Sequence, residues 1–307
     1  MRLIDCRAER YSIAEQVQLP LAIPRETDLF FSPYYTIPLL YRGKLAATVH
    51  DMSHMIVDEI VQNRKKRTYA RAMFHQLRRR ASLIFTVSEF SKSELLRLTT
   101  GPREDNIMPT HLGISEDWYT AGQLPSVRSR PYFIYVGNVK PYKNLRRLVN
   151  AFLQIKDQVP HDLVIVGQTE GLITGESPEF FERVKRTADR VHLAGLVPQS
   201  ELFSLVGNAT ALVMPSLYEG FGLPPVEAMA AGVPALVAQA ASLPEVCQDA
   251  ALYFNPFSEN EMAERLVQIA QDEGLRRQLR EAGPRQSRRY TWEACSIKTA
   301  NALLAHL

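Results

Sequence analysis

Two glutamates, Glu219 and Glu227, bracket a glycine loop whose residue types suit the binding of a phosphate flanked by hydroxyl groups. The apolar residues 211–214 before the loop are typical of a buried parallel strand, and residues 226–231 after it are typical of a helix. Loop N–H groups at a helix N-terminus, together with the helix dipole, favour negative charge. Because two carboxylates would repel a phosphate, we expect them to reach past it towards hydroxyl groups. The segment therefore predicts a site for a nucleotide sugar.

The elements around this loop belong to a regular alternation of strands and helices. Further apolar segments predict strands at residues 132–136, 163–166, 191–194 and 235–238. Helices are predicted at residues 145–155, 180–188 and 200–206, and near the C-terminus from about 259, at 275–282 and at 292–304. This alternation predicts an α/β fold with a doubly wound parallel sheet, whose ligands bind outside the carboxyl ends of the strands.

The N-terminal half repeats the alternation less completely and predicts a second domain of the same kind. Its strands are predicted at residues 28–32, 45–49, 83–87 and 106–108. Ser91 and Glu94 fit a capping box that opens a helix over residues 94–98. Residues 120–131 are polar and broken by glycine and proline, as linkers are. We therefore expect an N-terminal domain at 1–119, a linker at 120–131 and a C-terminal domain at 132–307.

Length and composition agree with a globular protein of two domains. The 307 residues are 46% hydrophobic and 22% charged, which excludes wholesale disorder. Cys6, Cys247 and Cys295 are an odd number and lie far apart, which indicates free thiols in a reducing compartment. No apolar run reaches the roughly 18 residues of a membrane span, and the first residues are too polar for a signal peptide. We expect a cytoplasmic location.

Positive charge is concentrated in residues 64–80, where eight of the residues are Lys or Arg. Tyr69, Met73 and Leu77 recur every fourth residue, which predicts a helix with one buried stripe. A solvated basic face explains this pattern most simply. Attraction to anionic lipid is the second explanation, because clustered Lys and Arg bind such surfaces. Nucleic acid is not expected as a partner, since no recognition motif or aromatic interleaving accompanies the charge.

Motifs along most of the chain resemble those of the retaining glycosyltransferases of family 4, the glycosyltransferase group 1 type. The matching segments are residues 49–51, 87–91, 135–145, 163–167, 215–227 and 242–246. The resemblance implies a GT-B fold, in which two Rossmann-like domains face each other across a cleft. It also implies retention of the anomeric configuration by a front-face mechanism, in which the leaving phosphate helps to deprotonate the acceptor. No metal and no cofactor are implied, the donor being a GDP- or UDP-sugar.

The same resemblance assigns roles to individual residues. Glu219 is expected to bind hydroxyls of the donor sugar, and Glu227 the ribose hydroxyls. Lys143 is expected to bind the diphosphate, and His50 a sugar hydroxyl. Catalysis is thereby assigned to His50, Lys143 and Glu219, and donor binding to Glu227 together with Asn138, Ser216, Gly220, Phe221, Gly222 and Leu223. Positive φ is expected at both glycines of that group, because glycine adopts it without strain.

The chain departs from the family pattern in two places. Many relatives carry a second basic residue where this chain has Asn138 or Tyr142, and Lys140 is a candidate substitute. Base recognition is expected near Leu196 and Val197. Relatives also begin with a Gly-rich βα unit that has no counterpart here, so we expect the N-terminal domain to be incomplete.

The predicted function is transfer of a hexose, with mannose favoured by family frequency, to a glycan or lipid-linked acceptor of cell-surface polysaccharide or lipopolysaccharide. The alternative is a catalytically weak nucleotide-sugar-binding module or partner subunit. An epimerase or phosphorylase is a third class, and the pyridoxal-binding lysine context of a phosphorylase is not evident. If Lys143 and Glu219 act in catalysis, their replacement by Ala should abolish transfer and leave the thermal midpoint nearly unchanged.

Overall fold

The computed structural model describes residues 4–8, 12–56, 64–102, 104–168, 178–187 and 189–307. The chain divides into two compact units. The first comprises Met1–His111 together with Glu293–Leu307, and the second comprises Leu112–Trp292. Each contains one parallel sheet with helices packed on it, so the Rossmann-like α/β architecture expected from the alternation is confirmed for both.

The first unit is built on a four-stranded parallel sheet in the order β1-β2-β3-β4. Its strands are β1 (Leu29–Ser32), β2 (Lys44–Val49), β3 (Leu83–Thr86) and β4 (Ile107–Pro109). Its helices are α1 (Ile13–Ala22), α2 (Ser53–Ile56), α3 (Arg64–Arg80), α4 (Glu89–Leu98) and the C-terminal α12 (Trp292–Leu304). Every residue of β3 is buried, because this apolar strand lies inside the sheet with strands on both sides.

The second unit is built on a six-stranded parallel sheet in the order β10-β9-β8-β5-β6-β7. Its strands are β5 (Tyr132–Val136), β6 (Asp162–Val166), β7 (Val191–Gly195), β8 (Ala211–Met214), β9 (Ala235–Ala238) and β10 (Ala251–Phe254). Its helices are α5 (Leu145–Ile155), α6 (Pro178–Arg186), α7 (Gln199–Gly207), α8 (Leu223–Ala230), α9 (Leu243–Cys247), α10 (Glu259–Gln271) and α11 (Glu273–Ser287). The strand order reverses beside β5, which is where such sheets bind ligands. Residue 188, predicted to end the sixth helix, lies outside the described residues.

The start of α4 differs from the expected capping box. The helix begins at Glu89, and its N-cap is Ser88, whose hydroxyl accepts a hydrogen bond from the Ser91 N–H at 2.9 Å. Ser91 is therefore inside the first turn, and Glu94 forms an ion pair with Arg97 at 2.7 Å. Ser88 caps the helix because its backbone is extended, which lets its side chain reach the N–H groups of the first helical turn.

The basic helix α3 buries Met73 and Leu77 as predicted, but it does not present all its arginines to solvent. Arg78 is only 2% exposed. Arg80 donates hydrogen bonds to the carbonyls of Leu39 (2.7 Å) and Tyr41, so it holds the preceding loop. The exposed cations among the described side chains of this helix are Arg67, Arg71 and Arg79, while the side chains of 64–66 lie outside that set. A contact between α3 and an anionic membrane stays a prediction.

None of the described helices has the combination of length and apolar character that crossing a lipid bilayer requires.

The chain between the two sheets is more ordered than a linker. A 3₁₀-helix spans Glu116–Gln123 and buries Trp118 and Ala121. A Cβ on Gly207 at the end of α7 would lie 2.2 Å from the Ala121 carbonyl oxygen, so the 3₁₀-helix packs tightly on α7. The expected C-terminal domain also ends earlier than residue 307. Helix α12 belongs to the first unit, where Lys298 Nζ donates to the Pro109 carbonyl at 2.6 Å.

His161, just before β6, makes a prediction about acid stability. Its ring stacks on Phe133 with 4.7 Å between the ring centroids, and burial, then Arg276 and Arg190, lowers the pKa of the imidazole to about 4. The folded state thus binds this proton less readily than the unfolded state, so stability is lost as pH falls from 6.5 towards 4. We expect a loss of about 3 kcal/mol from this group. Urea unfolding at pH 7 and pH 4.5 should show a smaller pH dependence for His161→Phe than for the wild type, and equal dependence would contradict the assignment.

Candidate active site

The central feature of the second unit is an ion pair between two loops at the carboxyl edge of its sheet. Lys143 ends a short 3₁₀-helix after β5, and Glu219 lies in the segment after β8, residues 215–222, which we call the glycine loop. The Lys143 ammonium lies 2.7 Å from Oε1 and 2.9 Å from Oε2 of Glu219. The two side chains are 16% and 11% exposed. The two residues assigned to catalysis in this unit are therefore in direct contact, and an anion that binds Lys143 would compete with Glu219.

Aromatic and basic side chains surround this pair. The Lys143 Nζ lies 5.3 Å from the centroid of the Tyr142 ring, and the Lys140 Nζ lies 5.8 Å from the same centroid. Two ammonium groups therefore lie near one ring, which offers each a cation–π contact. This arrangement brings Lys140 into the neighbourhood of Lys143, as its suggested role as a substitute cation requires.

The glycine loop is attached to its surroundings at several points. The Leu217 N–H donates to the Tyr142 carbonyl at 2.8 Å, which ties this loop to the one after β5. Asn144 adopts the left-handed conformation (φ 61°), and its Nδ2 donates to the carbonyls of Pro215 at 3.0 Å and Pro256 at 2.8 Å. A single buried amide thus links three loops that follow β5, β8 and β10. It was missed as a functional residue, because its role depends on contacts distant in sequence.

The loop leads into α8 through a left-handed glycine. Gly222 has φ 95°, and a Cβ there would lie 2.7 Å from Leu243 Cδ2, so both conformation and space require glycine. The expectation of positive φ was wrong for Gly220, which is not among the positive-φ residues of the described chain. Pro224 and Pro225 in the first turn of α8 have no N–H. Anion-binding donors at this helix end must therefore come mainly from the loop itself.

Four other residues predicted to bind the donor differ in accessibility. Asn138 is exposed after β5, and its carbonyl accepts a hydrogen bond from the Tyr135 hydroxyl at 2.9 Å. Ser216 is 0% exposed, and its hydroxyl lies 3.2 Å from the Met214 sulfur, so it is turned into the protein. Phe221 is 4% exposed and packs edge-on against the Tyr290 ring, so its side chain is turned into the protein. Leu223, half-buried, begins α8.

Glu227 lies on α8 and differs from Glu219 in its environment. Burial raises the pKa of its carboxyl to about 7, and a hydrogen bond from the Trp118 side chain acts in the opposite direction. Trp118 itself is 3% exposed and packs edge-on against Phe203 with 4.6 Å between the centroids. The tryptophan was not predicted as part of the site, since it comes from the segment before the supposed linker. It fixes the position of the carboxyl and occupies part of its hydrogen-bonding capacity.

His50 lies in the first unit, directly after β2. Its Nε2 lies 3.0 Å from the Pro33 carbonyl oxygen and donates to it, because a carbonyl only accepts. The Ser91 hydroxyl donates to the His50 carbonyl at 3.2 Å. The neighbouring Asp51 accepts hydrogen bonds from the Ser53 N–H and hydroxyl at 2.8 and 2.5 Å, so this carboxylate caps α2. The imidazole is thus held in one orientation by its own unit.

Within the described residues, no group of three or more His, Cys, Asp or Glu side chains is arranged to hold a metal ion. Base recognition near Leu196 and Val197 stays a prediction, and Leu196 is 77% exposed after β7.

Comparisons with known proteins bear on what this site does. The sequence profile of the family "Glycosyl transferases group 1" matches residues 120–286. "O-antigen chain mannosyltransferase B" of Escherichia coli is 32% identical over 287 residues, which cover 89% of this chain and 73% of that protein. "Serotype-specific mannosyltransferase WbdA" of Escherichia coli is 27% identical over 229 residues, which cover 69% of this chain but only 27% of that protein. The crystal structure of Anabaena Alr3699/HepE in complex with UDP and glucose superposes with a TM-score of 0.74 at 19% identity, covering 90% of this chain and 77% of HepE.

Proposed function

Because the chain belongs to the group 1 glycosyltransferase family, we propose that it transfers a hexose, with mannose favoured, from a nucleotide diphosphate sugar to a glycan or lipid-linked acceptor. The product would be part of a cell-surface polysaccharide or lipopolysaccharide. Relatives named as O-antigen mannosyltransferases support both the sugar and the pathway class.

The observation that carries this proposal is the contact between Lys143 and Glu219 beside the glycine loop. A diphosphate that enters beside Lys143 would replace the carboxylate as the partner of its ammonium. Glu219 would then be released to accept hydrogen bonds from sugar hydroxyls, for which an ionised carboxylate is well suited. Binding of the diphosphate would thus place the Lys143 ammonium against the phosphates and the Glu219 carboxylate against the sugar hydroxyls.

The same geometry supports a role for Lys143 in the chemical step. As the bond from the sugar to the diphosphate breaks, negative charge develops on the leaving phosphate. A fixed ammonium and oriented loop N–H groups stabilise that charge without reorganisation, which is the largest single contribution in many enzymes. We propose that the reaction retains the anomeric configuration and needs no metal ion, with the leaving phosphate taking the acceptor proton. His50 would bind a hydroxyl of the donor sugar.

A transfer assay tests this function. The full chain is incubated with GDP-mannose, or with UDP-glucose as the second donor, and a membrane lipid extract from a polysaccharide-producing bacterium. We expect labelled mannose to move into the lipid fraction, and proton NMR of the new linkage to show the donor's α-configuration. Donor binding without transfer, also with a longer chain that includes any upstream coding sequence, would favour the alternative of a binding module or partner subunit. An inverted linkage would contradict retention.

A further inference from the structure

We propose that Ser242 is a positioning residue for the donor site, because it sets the direction in which the N–H groups of the glycine loop point. The inference deepens the proposed function and rests on it. Ser242 is 0% exposed and immediately precedes α9, on the loop that follows β9. The sequence places it in the motif at 242–246 without assigning it a role.

The geometry shows one hydroxyl between two carbonyls. Ser242 Oγ lies 3.0 Å from the Glu219 carbonyl oxygen and 3.0 Å from the Phe221 carbonyl oxygen. A serine hydroxyl has a single hydrogen, so the two carbonyls share it. Both carbonyls must therefore point towards the same buried group, although they belong to alternate residues of the loop.

The direction of the neighbouring N–H groups follows from this arrangement. No described peptide bond is cis, and in a planar trans peptide the C=O and the following N–H point in opposite directions. The carbonyls of Glu219 and Phe221 point to Ser242, so the N–H groups of Gly220 and Gly222 point away from it. Backbone N–H groups donate strong, charge-assisted hydrogen bonds to anions. Ser242 thus places two donors on the side opposite the buried serine.

The loop also meets α9 by close packing. Leu243 Cδ2 packs directly on Gly222, because a Cβ on Gly222 would lie only 2.7 Å from that atom. The backbone of Glu219, whose carboxylate pairs with Lys143, is held by the same serine. Loss of the Ser242 hydroxyl therefore affects both the diphosphate donors and the carboxylate that we assign to the sugar.

The experiment compares Ser242→Ala with Ser204→Ala as a matched control. Ser204 is also a buried serine of the second unit, and its hydroxyl donates to the Pro125 carbonyl at 2.7 Å, away from the site. Two quantities are measured on the full chain, namely hydrogen exchange of the amides at 219–223 and the affinities for GDP and GMP by calorimetry. UDP and UMP are measured in parallel, because the base is not fixed.

We expect Ser242→Ala to speed exchange of the loop amides by about tenfold, since the loop loses a buried hydrogen bond, and Ser204→Ala to leave it unchanged. The preference for the diphosphate over the monophosphate should fall about tenfold, because the second phosphate depends on oriented donors. A purely structural role would lower both affinities alike. Unchanged exchange, or an unchanged preference with intact binding, would overturn the role of Ser242. A wild-type chain that binds neither diphosphate would instead contradict the proposed function, and this role with it.

Discussion

Replacing Glu219 by Gln, or Lys143 by Met, should reduce transfer at least about a thousandfold, because we assign these side chains to the hydroxyls and to the developing charge of the reacting donor. Each single variant should also be destabilised, by about 2 kcal/mol, since it leaves the partner partly buried without its opposite charge. The double variant should remain inactive but regain most of that stability. Transfer rates and urea unfolding of the four proteins form a double-mutant cycle that checks these values.

The predicted destabilisation differs from the expectation drawn from the sequence, namely that replacing Lys143 or Glu219 leaves the thermal midpoint nearly unchanged. The structure is the reason, since the two side chains are 16% and 11% exposed and bind each other directly. Glu273→Gln is the matched control, because Glu273 pairs with Arg276 at a site where the carboxylate is 53% exposed. We expect it to keep full activity. Single variants as stable as the wild type, or a double variant less stable than either single variant, would show that the pair does not exist in solution.

Glu227→Gln should stabilise the protein in a pH-dependent way and weaken donor binding. Burial raises the pKa of this carboxyl to about 7, above its unfolded value of 4.5. Its contribution to stability is therefore fully present below pH 4.5 and is lost as pH rises to 7. At pH 8 the folded state holds a buried ionised carboxylate, which the amide avoids, so the variant should gain up to about 3 kcal/mol. Urea unfolding of both proteins at pH 4, 6 and 8 measures this gain.

The difference in stability between Glu227→Gln and the wild type reports on the Glu227 carboxyl alone, because every other titratable group is present in both proteins. The amide oxygen still accepts the Trp118 hydrogen bond, so packing is preserved. An exposed glutamate of the same unit, Glu201, supplies the control Glu201→Gln, which makes the same chemical change away from a buried site. A gain for Glu227→Gln that does not grow between pH 4 and pH 8 would disprove the raised pKa. Unaltered affinity for a nucleoside diphosphate would disprove contact with the ribose.

Much of the fold was predictable because buried parallel strands are short apolar runs bounded by glycine. The GT-B class, with two Rossmann-like parallel-sheet domains, is confirmed. Helix α4 shows where local pattern fails. Ser88 and Ser91 both stand three residues before a polar residue, and only backbone conformation decides which of them caps the helix. Similarly, the charge pattern of α3 does not reveal that Arg78 and Arg80 turn inward, since that depends on neighbouring loops.

The site was predictable as far as its residues follow one another along the chain. The glycine loop and Gly222 could be placed because strand, loop and helix are contiguous. Lys143, from the loop after β5, was placed only by the family resemblance, and two partners from other segments, Trp118 and Ser242, were not placed in the site at all. Trp118, which contacts Glu227, lies just before the residues that were expected to form a linker. Ser242, which contacts the glycine loop, lies in the loop after β9. Long-range packing, which leaves no local pattern, determines these contacts.

A crystal structure of the chain with bound GDP-mannose, or with UDP-glucose if that is the donor used, would show whether the diphosphate opens the Lys143–Glu219 pair. We expect the diphosphate to lie against the backbone of residues 220–223, with Lys143 Nζ within hydrogen-bond distance of a phosphate oxygen. The Lys143–Glu219 pair should be opened, and the Glu219 carboxylate should accept hydrogen bonds from the hexose. A donor bound elsewhere, or one bound with that ion pair intact, would contradict it.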